Sequence, residues 1–216
     1  MRVLILSDIH SRFDVLKRIL ESVDVDCCFI CGDLSDFRAE DVFVISEILS
    51  EVGLKCYCVH GNCDPEEAID YIEQSGMINL HCKSLPFENY TLHGVGGSNY
   101  TPFLTPSEYS NEEMWSFVEN FIYGERNILI SHCPPKGILD MTYSGINAGC
   151  EVIRSIMEKF DYIFCGHIHE AKGMYKNGTL VLNPGSVISG SFAVWDMNSN
   201  SFELKNVKDF KNFRSI

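Results

Sequence analysis

The sequence predicts an α/β fold, and three observations carry that prediction. Short apolar runs alternate with helix-period segments from residue 2 to about 165, and those runs are nearly continuous in Val, Ile, Leu and Cys. After residue 170 the pattern changes to short runs separated by Gly and Asn turns. Strand and helix in turn imply a largely parallel sheet, since a parallel pair needs a crossover connection. Runs without polar alternation suit strands covered on both faces. Turn-punctuated short runs suit antiparallel hairpins.

Taken in order, "RVLIL" (2–6) reads as a strand followed by the helical "FDVLKRILESV" (13–23). "DCCFI" (26–30) precedes "EDVFVISEILSEV" (40–52), and "LKCYCV" (54–59) precedes "PEEAIDYIEQSG" (65–76). Later, "NILI" and "DYIFC" flank the helical "CEVIRSIMEKF" (150–160). "GGSNYTPFLTPSEYS" (96–110) is a long polar loop, and "SGINAG" near 144 is a shorter one. The closing runs "GMYKN", "TLVLN", "SFAVWD" and "SFELKNV" give the hairpins. No repeat, low-complexity tract or linker divides the chain, so residues 1–216 are expected to form one domain.

The bulk numbers exclude several function classes. A chain of 216 residues with 45% hydrophobic and 22% charged residues is neither disordered nor membrane-spanning in composition. A formal net charge of −13 disfavours nucleic-acid binding, which draws on clustered Lys and Arg. "MRVLIL" is too short for a signal-peptide core, and no run reaches bilayer-spanning length. A cytoplasmic location is therefore expected, where ten cysteines need an explanation other than disulfides. "CFIC" (28–31) has a zinc-like spacing, but positions i and i+3 of a strand face opposite ways. Its thiols, with Cys27, Cys56, Cys58, Cys150 and Cys165, read as small buried apolar residues.

The informative feature is the polar punctuation at the end of each apolar run: "VLILSDIH", "CFICGDLSD", "YCVHGNCD", "ILISHCPP" and "YIFCGHIHE". Ligand sites of open α/β sheets lie outside the carboxyl ends of the strands, so these five tips should converge. Together they carry Asp8, His10, Asp33, Asn62, His132, His167 and His169, donors suited to first-row divalent ions. Seven exceed what one ion with an open position can use. If one carboxylate is shared, they supply four contacts to each of two metals, spaced about 3.5–4 Å apart in the clamp used for displacement at phosphorus. Asp8 with His10, and His167 with His169, are i, i+2 pairs that face one way if the backbone stays extended. His60, His81 and His93 receive no role.

These motifs, in this order, resemble the calcineurin-like metallophosphoesterase superfamily. The likeness runs from residue 4 to about 190, and "LNPGSV" (182–187) with the "GVGGS" loop is similar to its small prokaryotic branch. The resemblance implies a four-layer α/β/β/α sandwich of two mixed sheets flanked by helices, with a dinuclear metal site at the sheet edge. It implies that Asp8, His10 and His169 hold one ion, Asn62, His132 and His167 the other, and that Asp33 bridges them. Manganese heads the expected metals, with iron, zinc, nickel and cobalt accepted by the same donors.

One position departs from the pattern. Many relatives carry a His after the Asn, oriented by the second Asp of the "GDxxD" motif; this chain has Cys63, with Asp36 expected to face it. A thiol is a poor general acid beside an imidazole, and its loss matters least for good leaving groups. The expected activity is hydrolysis of phosphoric esters by a metal-activated, bridging water, diesters favoured over monoesters. Cys63, Asp36 and His132 are the candidate catalytic residues, and Arg12, Asn99 and Tyr100 the candidate substrate contacts. The expected partner is a small phosphate ester; oligomeric state is left open, a homodimer included. Two other classes compete: a non-catalytic scaffold, as in a retromer subunit resembling this fold, and a nuclease.

Overall fold

Five strands share one arrangement in the computed structural model, which describes residues 1–209: each is apolar on both faces because both faces are covered. The first sheet centres on β1 (Arg2–Leu6), β2 (Cys27–Cys31) and β3 (Lys55–Val59), paired in parallel. It is completed by β4 (Ile78–Asn79) at one edge. The second contains β5 (Ser84–Phe87), β6 (Tyr90–Val95), β9 (Asn127–Ser131), β10 (Tyr162–Phe164), β11 (Gly173–Asn177) and β12 (Thr179–Asn183), once the short pair β7 (Ser98–Asn99) and β8 (Glu108–Tyr109) is set aside. The last hairpin, β13 (Ser191–Asp196) and β14 (Ser201–Asn206), returns to the first sheet beside β1. Strand order is β14-β13-β1-β2-β3-β4 in one sheet and β11-β12-β10-β9-β6-β5 in the other.

The first sheet is parallel from β1 to β4 with an antiparallel margin at β13 and β14, and the second has a parallel centre with antiparallel strands at both margins, so the largely parallel sheet expected from the strand–helix alternation is two mixed sheets. The strand alternation sorts side chains into layers. Leu4, Leu6, Cys28 and Ile30 pack outward against the helices α1 (Phe13–Glu21), α2 (Asp41–Glu51) and α3 (Glu67–Gln74). Val3, Ile5, Cys27, Phe29 and Cys31 point inward and meet Phe87, Ile128, Ile130, Phe164 and Trp195 between the sheets. On the far side Leu129, Ile163 and Val181 pack on α4 (Asn111–Val118) and α5 (Glu151–Ile156). Helix, sheet, sheet and helix thus form the four layers.

Cys28 and Cys31 lie in different layers, as the strand period requires. Nine of the ten cysteines are buried and all ten are free; burial pushes the Cys27 thiol up to about 12 and those of Cys56, Cys58 and Cys165 upward as well, although a bond with Cys56 is the leading cause at Cys58. Among the described residues no helix is long and apolar enough to cross a membrane.

Candidate metal centre

The five tips that carry the polar residues come from both sheets: β1, β2 and β3 from one, β9 and β10 from the other. Backbone bonds lace their loops together. Ile9 and His10 N–H donate to the Asp33 carbonyl (2.7 and 3.0 Å), and Ser11 N–H to that of Leu34 (3.1 Å). Gly166 N–H donates to the His132 carbonyl (2.9 Å), and His167 N–H to Asp8 Oδ1 (3.1 Å), joining residues 159 apart in sequence.

The third loop is fixed by Asp64. Its carboxylate is fully buried and accepts from Gly61 N–H (2.7 Å), Leu34 N–H (3.0 Å), Ser35 N–H (2.7 Å) and the Ser35 hydroxyl (2.8 Å). That stitches the turn after β3 to the turn after β2 and answers for the Asp in "GNCD". Two glycines are dictated by proximity. A Cβ on Gly61 would run into the Asp33 carboxylate and backbone, and one on Gly166 into Ser7 and Asp8.

The expectation of extended i, i+2 pairs is not met. Asp8 (φ 56°), His10 (φ 44°) and His167 (φ 66°) have left-handed backbones, as do Ser11 and Asp33. The strands have already ended at Leu6 and Phe164, and tight left-handed turns swing these side chains inward instead. Such conformations cost on the order of 1–3 kcal/mol each and concentrate at functional sites.

The result is one cluster. His169 Nε2 stands 3.3 Å from Asp8 Oδ1, His10 Nε2 3.3 Å from Asp33 Oδ2, and His132 Nε2 3.5 Å from Asp33 Oδ1. The His132 and His167 rings lie 5.0 Å apart and those of His10 and His169 5.4 Å. Among the described residues three groups have donor atoms all within 4.8 Å of one another: Asp8, His10 and His169; His10, Asp33 and Cys63; and Asp8, Asp33 and His132. Asp33 thus belongs to two of them.

The donor set fits cations on three counts. Asp8 Oδ2 and His10 Nε2 are buried without a hydrogen-bond partner among the described residues, an expensive condition for bare polar atoms. His132 donates Nδ1–H to the Cys31 carbonyl (2.8 Å), which leaves Nε2 as a lone pair facing Asn62 Oδ1 at 2.8 Å. Burial lowers that imidazole toward its neutral form, so two acceptors confront each other. Burial likewise lowers His10, and takes His167 down to about 3 with the help of His132. The carboxylates concentrate negative charge. Burial raises Asp33 well above the carboxylate range, reinforced by the charges of Asp64 and Asp8. Burial opposes ionisation of Asp8 too, but its bond to His169 and the nearby imidazoles hold it below that range. Burial lowers His169, yet the bond with Asp8 overcomes it and raises the group overall.

Not every candidate residue joins the cluster. Arg12 pairs instead with Asp14 on the first turn of α1 (Nε–Oδ1 3.2 Å), with its side chain half exposed. Arg12→Ala is expected to leave turnover within about twofold of the parent, the usual scale of a surface change; a tenfold loss would return Arg12 to the site. Asp36 faces solvent and His10 (3.8 Å to Nδ1), because the preceding Leu34 and Ser35 are held by Asp64. The carboxylate against the Cys63 thiol is Asp33, which also accepts Cys63 N–H (2.8 Å). Asn99 and Tyr100 line a cavity that begins at His167. Sequence reading missed Thr105, whose hydroxyl accepts from Asn62 Nδ2 (2.9 Å), and Ser186, which donates to the Asp8 carbonyl (3.0 Å). His60, given no role, bonds Tyr109 (3.2 Å) and stacks edge-on with His81.

A two-sheet α/β sandwich whose strand tips from both sheets gather carboxylates, imidazoles and an amide defines the class of metal-site phosphoesterase folds. The sequence profile of the calcineurin-like phosphoesterases matches residues 1–171, and the chain belongs to that family. It is 35% identical to the protein MJ1162 of Methanocaldococcus jannaschii over 222 residues, covering 97% of this chain and 98% of that one. Its fold is similar to that of TT1561 of Thermus thermophilus (TM-score 0.70, 18% identity, 95% of this chain and 98% of the other). It is also similar to PH1004 of Pyrococcus horikoshii (TM-score 0.54, 13% identity, 97% and 91%). Family membership carries metal-dependent phosphoester hydrolysis as the general chemistry.

Proposed function

We propose that this centre binds two divalent transition-metal ions and hydrolyses small phosphoric esters, diesters of good leaving groups ahead of monoesters. The observation that supports it best is the meeting of seven nitrogen and oxygen donors with bare acceptors among them. Asp8, His10 and His169 are assigned to one ion, Asn62, His132 and His167 to the other, and Asp33 to both. Ions held there would supply a water of lowered pKa as nucleophile and positive charge for the phosphoryl oxygens. Manganese is the first choice, and iron, zinc, nickel and cobalt suit the same donors. Ten free thiols fit a reducing compartment, which favours the cytoplasm.

The chain's own groups set the preference among esters. Asn62 is oriented by Thr105 and His132 by the Cys31 carbonyl, so both present a fixed lone pair. Cys63 keeps its proton: burial pushes the thiol up, and the Asp33 carboxylate beside it pushes further. A thiol so far from neutral pH is a weak general acid for a departing group. Esters whose leaving groups are acidic enough to depart unaided are then the natural substrates.

The test is turnover of bis(p-nitrophenyl) phosphate, p-nitrophenyl phosphate and single-stranded DNA by Mn²⁺-loaded protein, with metal counted by mass spectrometry. Two ions per chain and diesterase above monoesterase activity are expected; two bound ions with no ester hydrolysed would overturn the proposal. DNA cleavage alone would favour the nuclease reading. Cys63→His is expected to raise turnover of an alkyl phosphate monoester relative to bis(p-nitrophenyl) phosphate by about tenfold or more, within the range of general acid catalysis. An unchanged ratio would free position 63 of any part in substrate choice.

A further inference from the structure

The protein carries an apolar cavity of about 680 Å³ that opens from the metal centre at His167 and runs between two loops. Its size lies within the range of small-molecule sites, roughly 300–1,000 Å³. One loop brings Tyr100 and Phe103, 70% and 81% exposed, and the other Tyr143 and Ile146, 92% and 62% exposed. Among the described residues none of these three rings stacks on another aromatic ring. Large apolar groups gathered this openly beside a reactive centre are more than surface scatter.

Both loops are held rigidly and are registered to the centre. The Glu108 carboxylate clamps the first loop at its two ends, accepting from the N–H and hydroxyl of Thr101 (2.9 and 2.5 Å) and of Thr105 (2.9 and 2.5 Å). Thr105 in turn accepts from Asn62, so the position of Phe103 is tied to a candidate ligand. The second loop is fixed by Tyr143 N–H on Glu170 (2.6 Å), the residue after His169, and by Lys136 Nζ on the Asn147 carbonyl (2.7 Å). Walls that are already ordered lose little entropy when a ligand enters.

We infer that this cavity receives a planar aromatic ring carried by the phosphate ester, the chemistry shared by a nucleobase and an aryl alcohol. The inference rests on the phosphoesterase reading of the adjoining centre. Aromatic side chains on facing loops offer flat surfaces to a ring, while threonine, serine and asparagine groups between them can meet polar ring edges. Among the described residues Lys136 and Glu170 put one charge of each sign on the cavity wall. The ring would lie on the His167 side of the phosphorus.

Calorimetric titration of the Mn²⁺-loaded protein with methylphosphonate, phenylphosphonate and AMP tests this. A ring-bearing ligand is expected to bind about tenfold tighter than methylphosphonate, equivalent to ~1.4 kcal/mol. Joint replacement Phe103→Ala with Tyr143→Ala should shrink that ratio toward one. AMP ahead of phenylphosphonate identifies a nucleoside, and the reverse order an aryl group. Equal binding of all three, or a preference that survives the double replacement, overturns the inference. Hydrolysis of methyl p-nitrophenyl phosphate by the same sample reports on the centre separately. Turnover without ring preference overturns the cavity's role and leaves the hydrolase standing; no turnover of any ester overturns both.

Discussion

Asp33→Asn is expected to abolish metal occupancy and turnover together while leaving the fold intact. The amide keeps the shape and can still accept Cys63 N–H, now at 2.8 Å on Oδ1, but it removes the charge between His10 and His132. Loss of a shared ligand should exceed the roughly 10–100-fold cost of disturbing a group that merely supports one. A second readout separates ligation from folding. Burial and the charges of Asp64 and Asp8 disfavour ionisation of Asp33 in the metal-free protein. The amide is neutral, as the metal-free acid is favoured to be, so the metal-free variant should melt no lower than the metal-free parent. Two ions still bound and full activity would contradict the assignment; a lower melting temperature in the absence of metal would show Asp33 to be a folding residue.

Asp64→Ala should have the largest effect on stability. It strands three backbone N–H groups, of Gly61, Leu34 and Ser35, together with the Ser35 hydroxyl, around a fully buried position. At ~1–3 kcal/mol for each buried donor left unpaired, the loss is about 3–6 kcal/mol after partial relaxation. For a chain of this size that corresponds to a melting temperature lower by on the order of 10 °C. Asp64→Asn, which keeps one acceptor oxygen, should fall between. An unchanged melting temperature in the alanine variant would mean that these turns are held by something else.

The donors could be read from the sequence because each stands within a few residues of the end of an unmistakable apolar run, as Asp8 does one residue past "VLIL" and His167 one residue past "YIFC". How they come together could not. A strand covered on both faces looks the same whichever sheet it joins, so β1 and β9 give no sign of lying in opposite sheets. Left-handed turns at Asp8 and His10 are likewise invisible where no glycine marks them. β6 escaped because His93 and Gly94 interrupt its apolar pattern; Gly94 is there to let Leu80 pack against the backbone. α4 left a signal that went unread, the Ser110–Glu113 capping box in "SNEE". The Glu108 clamp is written only in ordinary polar loop residues, and a carboxylate bonded to two threonines in space has no signature along the chain.

The placement of β1 has a consequence for biosynthesis. Val3 pairs with Cys27 on one side and with Trp195 on the other. The second neighbour leaves the ribosome roughly 10–40 s after the first strand, at ~5–20 residues per second. For that interval the growing polypeptide carries an apolar strand with one bare hydrogen-bonding margin, a template for unwanted association. That margin is closed only when the last hairpin pairs with the first strand.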